Sequence, residues 1–185
     1  MIQEREAAGE LEPLEGDEGE PDVGRDRHVG RELLRTPLAE VKRGEPVTVA
    51  PDATVAEGIA LMRERRVSAL LVVANDDGRR LAGIFTERDL LERALPVPGY
   101  AGAPIAQFMT RDPETLHPSD PVAYAVNKMS VGRFRHVPLV DGEGRPAGMF
   151  SIRDLADFVV ELCAEEVLNL PPEPELAMHP RPEGE

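Results

Sequence analysis

The sequence predicts an α+β fold: two tandem β-α-β-β-α units packed as a pseudo-twofold pair, between flexible acidic tails. Three observations carry this reading. Residues 83–90 read GIFTERDL and residues 148–155 read GMFSIRDL, so one phrase is written twice. A longer self-match precedes each phrase: Pro37-Leu38 falls on Pro104-Ile105, and APDATVAEGIALM from Ala50 falls on HPSDPVAYAVNKM from His117. The offset is sixty-seven positions, and a shorter second turn brings it to sixty-five at the phrase. Finally, apolar spacing alternates between strand-like and helical in the same order in both copies. A unit of this size cannot bury both faces of its sheet alone, so two must pack together.

Along the chain, residues 1–30 mix Glu, Asp, Gly and Pro with few large apolar side chains, a composition that predicts a disordered acidic segment. The first unit, residues 31–98, opens with a short strand over Val47 to Val49 and a proline-containing turn. A helix follows, with Val55, Ile59 and Met62 on one face and a capping-box start at Thr54 and Glu57. The apolar run Ala69 to Ala74 and the stretch Leu81 to Phe85 form a strand pair around an exposed turn carrying Asp76 and Asp77. The second helix begins at the repeated phrase. In the second unit, residues 99–170, the matching elements are Thr115 to His117, the helix face Val122, Val126 and Met129, the strands His136 to Val140 and Pro146 to Phe150, and a helix after Ser151. Residues 171–185 are rich in proline and predict an extended, solvated tail.

Composition excludes several functions. Most of the formal charge of −14 lies in the two tails, and no basic stripe exists to displace phosphate counterions, which argues against nucleic acid. No apolar run is long enough to span a bilayer, and MIQEREAAGE lacks the basic and apolar regions of a leader, so a cytoplasmic protein is expected. The single cysteine, Cys163, can make no internal disulfide and is expected to be a buried, inert thiol on an apolar helix face. His28, His117, His136 and His179 are scattered, so no metal site is expected. There is no P-loop, HExxH or G-x-S-x-G pattern, so no enzyme and no catalytic residue are expected.

The repeated phrase has its own chemistry. A hydroxyl at the junction of a strand and a helix N-terminus, with an aspartate one turn on, suits an anion beside unpaired N–H groups and a carboxylate that accepts from a sugar diol. The same S/T-x-x-D spacing also makes a capping box that binds nothing. Spacing alone leaves both readings open.

Taken together, EPVTVAPDATVAEGIALM, FRHVPLVDGEGRPAGMFSIRDL and the order of elements resemble tandem cystathionine-β-synthase (CBS) domains, two of which form a Bateman module. The resemblance covers about residues 36–165. It implies two clefts between the units and a regulatory ligand that contains adenosine: AMP, ADP or ATP first, NAD(H) or S-adenosylmethionine behind them. By that resemblance Asp154 and Asp89 would hold ribose hydroxyls, and Ser151 and Thr86 would face phosphate together with Arg135, His136 and Arg133. Thr48, Val49, Thr115 and Leu116 would lie near adenine. Met109 and Met129 could flank a base, although core packing is the better role for Met129. Arg135 and His136 have only Ser68 and Ala69 as counterparts in the first copy, so the Asp154 cleft is expected to take the more phosphorylated ligand. The Asp89 cleft would take a less charged ligand or stay empty. The resemblance further implies a homodimer that signals to a partner protein in trans. The alternative is a ligand-free docking or dimerisation module.

Overall fold

The computed structural model describes residues 31, 34–41, 43–77 and 79–162. The acidic segment, the proline-rich tail and Cys163 lie outside them. In order the elements are β1 (Thr48–Val49), α1 (Val55–Arg65), β2 (Ala69–Val73), β3 (Leu81–Thr86), α2 (Glu87–Asp89, continuing as a π-helical turn over Leu90–Ala94), β4 (Thr110–Arg111), α3 (Val122–Gly132), β5 (His136–Val140), β6 (Pro146–Ser151) and α4 (Ile152–Leu162). Two 3-10 turns, Tyr100–Gly102 and Ile105–Gln107, lie between α2 and β4.

The first sheet has the order β1-β2-β3-β4, with β1 parallel to β2 and the other pairs antiparallel. Every residue of β2 is buried, which is why its sequence, ALLVV, shows no polar alternation. The second sheet pairs β5 with β6, and its opening strand is reduced to one parallel bridge between Leu116 and Leu139. Both halves thus realise the predicted plan. β4 is an addition, and Gly83 makes room for it: a Cβ there would meet Met109 Sδ at 2.6 Å and the Thr110 carbonyl oxygen at 2.7 Å.

Helix ends follow local chemistry. Thr54 and Glu57 form the expected reciprocal cap on α1. Pro121 stands at the corresponding point of α3 and supplies no side-chain cap. In both cases the first helical N–H is met from elsewhere in the chain: Val55 N donates to Ala103 O (2.9 Å) and Val122 N to Thr36 O (2.9 Å). The length of α2 also has a sequence cause, because Pro96 and Pro98 stop it, whereas no proline interrupts α4 through Leu162.

The cores are crossed relative to the sequence copies. Leu38 and Val41, which precede the first copy's strands, are buried with Leu116, Val122, Met129, Val137, Leu139 and Phe150 of the second. Ile105, Phe108 and Met109, which precede the second copy's strands, are buried with Val55, Met62, Leu70, Val72 and Phe85 of the first. This exchange gives the self-match of Pro37-Leu38 with Pro104-Ile105 its physical meaning. A third cluster, Ala69, Leu71 and Ile84 with Leu81 and Met149, joins the two sheets. No helix among the described residues is long and apolar enough to cross a membrane.

Candidate functional site

Both repeated phrases sit at the junction of a strand and a helix, β3 to α2 and β6 to α4, and both make the same cap. Thr86 donates to Asp89 Oδ2 from its backbone N (2.9 Å) and its Oγ1 (2.6 Å), and Oγ1 accepts from Asp89 N (3.2 Å). Ser151 repeats this with Asp154 Oδ2, at 2.7 Å from N and 2.6 Å from Oγ, and accepts from Asp154 N at 3.3 Å. The capping reading is therefore realised twice. It uses one carboxylate oxygen in each copy and leaves the role of the other to the surroundings.

Two clefts lie between the units, one at each cap. The larger, about 680 Å³, is lined by Ser151, Asp154, Arg135, His136 and the end of α1 with the residues after it. The smaller, about 490 Å³, is lined by Thr86, Asp89, Thr110 and the segment Asp112 to Glu114. Both volumes fall in the range of small-molecule sites. Ser68, Glu87, Arg135 and His136 line both clefts and form the wall between them. Ser68 Oγ and His136 Nε2 share a hydrogen bond of 3.0 Å across that wall. Burial, and then the neighbouring Arg135, push the His136 imidazole below its ordinary value near 6.5, while Asp154 pulls the other way.

The charge in the clefts differs. Arg63, Arg66, Arg135 and Arg153 face three carboxylates in the Asp154 cleft, whereas three arginines face five carboxylates in the Asp89 cleft. The free carboxylate oxygens differ as well. Asp89 is buried, and its Oδ1 accepts from Thr110 Oγ1 (3.2 Å) and pairs with Arg93 Nη1 (3.1 Å). Asp154 is half-buried, and its Oδ1 meets no donor among the described residues.

Most of the anticipated residues come together. Ser151, Asp154, Arg135 and His136 share one cleft, and Thr86 and Asp89 share the other. Arg133 does not join them. It lines neither cleft, closes α3 in a left-handed conformation (φ 55°) and offers its carbonyl to Arg88 Nη1 at 2.9 Å. Thr48, Val49, Thr115 and Leu116 also line neither cleft. Thr48 and Val49 are held in β1 against Leu71 and Val72, and Leu116 is buried against Leu139, so the cleft walls come from Gly44-Glu45 and Asp112 to Glu114, just upstream. Met109 and Met129 are core residues. Met62 and Met149, by contrast, reach the Asp154 cleft, where flexible thioethers can pack on a flat ring. Sequence reasoning missed Arg63, Arg66 and Arg153, whose only signal was a basic cluster at the end of α1 and a lone cation inside the second phrase.

Comparison with known proteins finds the same repeated fold elsewhere. The CBS domain family matches the chain twice, over residues 38–95 and 105–161. An uncharacterised 17.7 kDa protein of Acidianus ambivalens is 30% identical over 129 residues, covering 70% of this chain and 76% of that protein. Among solved structures, the CBS domain protein of Pyrobaculum aerophilum complexed with AMP is 30% identical, with a TM-score of 0.62, over 69% of this chain and 98% of that one. A CBS domain pair in complex with 5′-methylthioadenosine and S-adenosyl-L-methionine is 25% identical, with a TM-score of 0.61, over 68% of this chain and 97% of that one.

Proposed function

The chain belongs to the CBS domain family as a tandem pair, a regulatory module, and on that premise we propose that it binds one adenosine-containing ligand in the Asp154 cleft and signals its presence to a partner protein in the cytoplasm. AMP, ADP and ATP are the first candidates. One observation carries the reading. Asp154 is held by its own cap through Oδ2 while Oδ1 has no partner among the described residues, in a cleft where arginines outnumber carboxylates. A ribose diol suits that oxygen, because each hydroxyl can donate to it. Arg135 and Arg153 then suit a phosphoryl group, since guanidinium donates two parallel hydrogen bonds to an oxyanion. The α4 N-terminus, at Ser151 to Asp154, adds a favourable field for the same charge. Met62 and Met149 would cover the base.

Ligand contacts from β6 and α4 of one unit and α1 of the other would favour a single arrangement of the two units, and that bias is the signal a partner reads. The exposed apolar side chains Leu91, Tyr124 and Val131 on the helices, with Leu95 just past α2, support a homodimer.

The test is a thermal-shift panel of AMP, ADP, ATP, NAD⁺, NADH and S-adenosylmethionine against the wild-type chain and Asp154→Ala. A ligand at about a hundred times its dissociation constant stabilises the fold by about 2.7 kcal/mol, several degrees in Tm. The proposal requires a shift for at least one compound that disappears in the variant. No shift for any compound, with both proteins folded, leaves a docking module that binds no ligand.

A further inference from the structure

Asp89 is equivalent to Asp154 in the repeat, yet its surroundings already supply what a sugar would. Thr110 places a hydroxyl 3.2 Å from Asp89 Oδ1, and Arg93 Nη1 lies 3.1 Å from the same oxygen and 3.2 Å from the Thr110 hydroxyl. Arg93 is anchored further on the carbonyl of Phe108 (3.3 Å). Both partners are particular to this half. The repeat puts Arg43 where Thr110 stands, and Arg43 turns to the carbonyls of Leu38 and Val41; it puts Phe158 where Arg93 stands, and Phe158 is buried in the second core. No equivalent pair therefore reaches Asp154.

Resting on the adenosine reading above, we propose that Thr110 and Arg93 lock the Asp89 cleft. They occupy the carboxylate oxygen that a ribose diol requires, so the pair of units holds one adenosine ligand and Thr110 sets that number. The Thr110 hydroxyl donates to Asp89 as a sugar hydroxyl would, and Arg93 supplies the counter-charge. A ligand entering this cleft must displace both to regain the same kind of contact, and it meets a surplus of carboxylates. The lock also ties β4, on the segment that completes the first core, to α2.

The experiment is a calorimetric titration of AMP, and in parallel S-adenosylmethionine, into the full chain as wild type, Thr110→Val and Thr110→Val/Arg93→Met, with each variant's fold checked by circular dichroism. The wild type is expected to bind one ligand per chain. The double variant is expected to gain a second, weaker site, and Thr110→Val alone part of that gain. Where a variant fails to fold, photolabelling of the wild type with 8-azido-AMP decides: label confined to peptides of the Asp154 cleft is expected, and label on the Asp89 peptides overturns the lock. Two sites in the wild type, or folded variants that still bind one ligand, also overturn it and leave the adenosine reading standing. No binding of either probe to the wild type overturns both.

Discussion

Asp89 is 5% exposed, with both carboxylate oxygens engaged inside the chain; Asp154, at the same point of the second copy, is half-buried and keeps one oxygen for something else. The caps are alike to within a few tenths of an ångström, so the difference comes from neighbours contributed by other elements: Thr110 on β4 and Arg93 on α2 against Arg43 and Phe158. Charge follows the same division, with carboxylates prevailing around Asp89 and arginines around Asp154. The lesson is that the duplication repeats the scaffold without repeating the partners and charge around its aspartate. A motif shared by two halves fixes where a site can be, and the residues it meets in space decide whether one is there.

The shared scaffold can be broken symmetrically. Leu38 and Ile105 are fully buried counterparts, so Leu38→Ala and Ile105→Ala should each destabilise the chain by about 2–5 kcal/mol. Their local effects should be crossed: hydrogen exchange is expected to rise in β5 and β6 for Leu38→Ala, and in β2 and β3 for Ile105→Ala. A variant that loosened its own sequence copy instead would contradict the exchanged cores.

The two aspartates should then separate by stability. Removing Asp89 deletes a cap and a buried partner of Arg93 and Thr110, and should cost about 2–3 kcal/mol, less than a fully buried pair because Arg93 is half exposed. Removing Asp154 deletes only a cap, at about 1 kcal/mol. Urea unfolding of the two alanine variants without ligand measures both, and equal losses would mean that Thr110 and Arg93 add nothing to the Asp89 cap.

Arg135 sharpens the comparison at the level of ligand class. Arg135→Ala should weaken AMP binding about tenfold, or about 1.4 kcal/mol, the scale of one lost charge-assisted contact, and should leave adenosine nearly unaffected. Competition between the two ligands on wild type and variant provides the check. Equal loss for both would mean that Arg135 shapes the cleft and does not read the phosphate.

The smallest effect is expected from His136. Its lowered folded pKa means that the unfolded chain takes up a proton first, so stability of the free protein should decline as pH falls through about 6.5 towards that lower value, then level off. A phosphate beside the imidazole, flanked also by Arg135, Asp154 and Ser68, favours the protonated form, so nucleotide affinity should rise a few-fold as pH falls from about 7.5 to about 5.5. The nucleotide's own phosphate titrates in this window, so the informative quantity is the difference between wild type and His136→Gln. A difference of zero removes His136 from the site.

How far the sequence reaches is visible in the same residues. The element order, the two caps and the grouping of Ser151, Asp154, Arg135 and His136 were legible because each rests on a local pattern or on the repeat. The crossed cores left only a trace, the self-match of Pro37-Leu38, since which copy a segment packs against is a tertiary fact. Thr48, Val49, Thr115 and Leu116 line neither cleft for a related reason: a short strand joined to a sheet turns its residues into ladder and core, and the cleft wall falls to the residues upstream. Arg133 stands outside both cleft linings because it closes α3 in the left-handed conformation, a role that its spacing after the apolar helix face does not distinguish from a phosphate contact. Arg93 follows Asp89 by four residues, the helical spacing of an ion pair, so that contact had a sequence signal; nothing in the sequence announced that Thr110, twenty-one residues on, meets the same carboxylate.

The most direct measurement is a crystal structure of the chain grown with AMP at saturating concentration. The account predicts one nucleotide per chain, its ribose hydroxyls on Asp154 Oδ1 and its phosphate towards Arg135 and Arg153, with Thr110 and Arg93 still on Asp89. A ribose on Asp89, or a nucleotide whose sugar avoids Asp154, would contradict it.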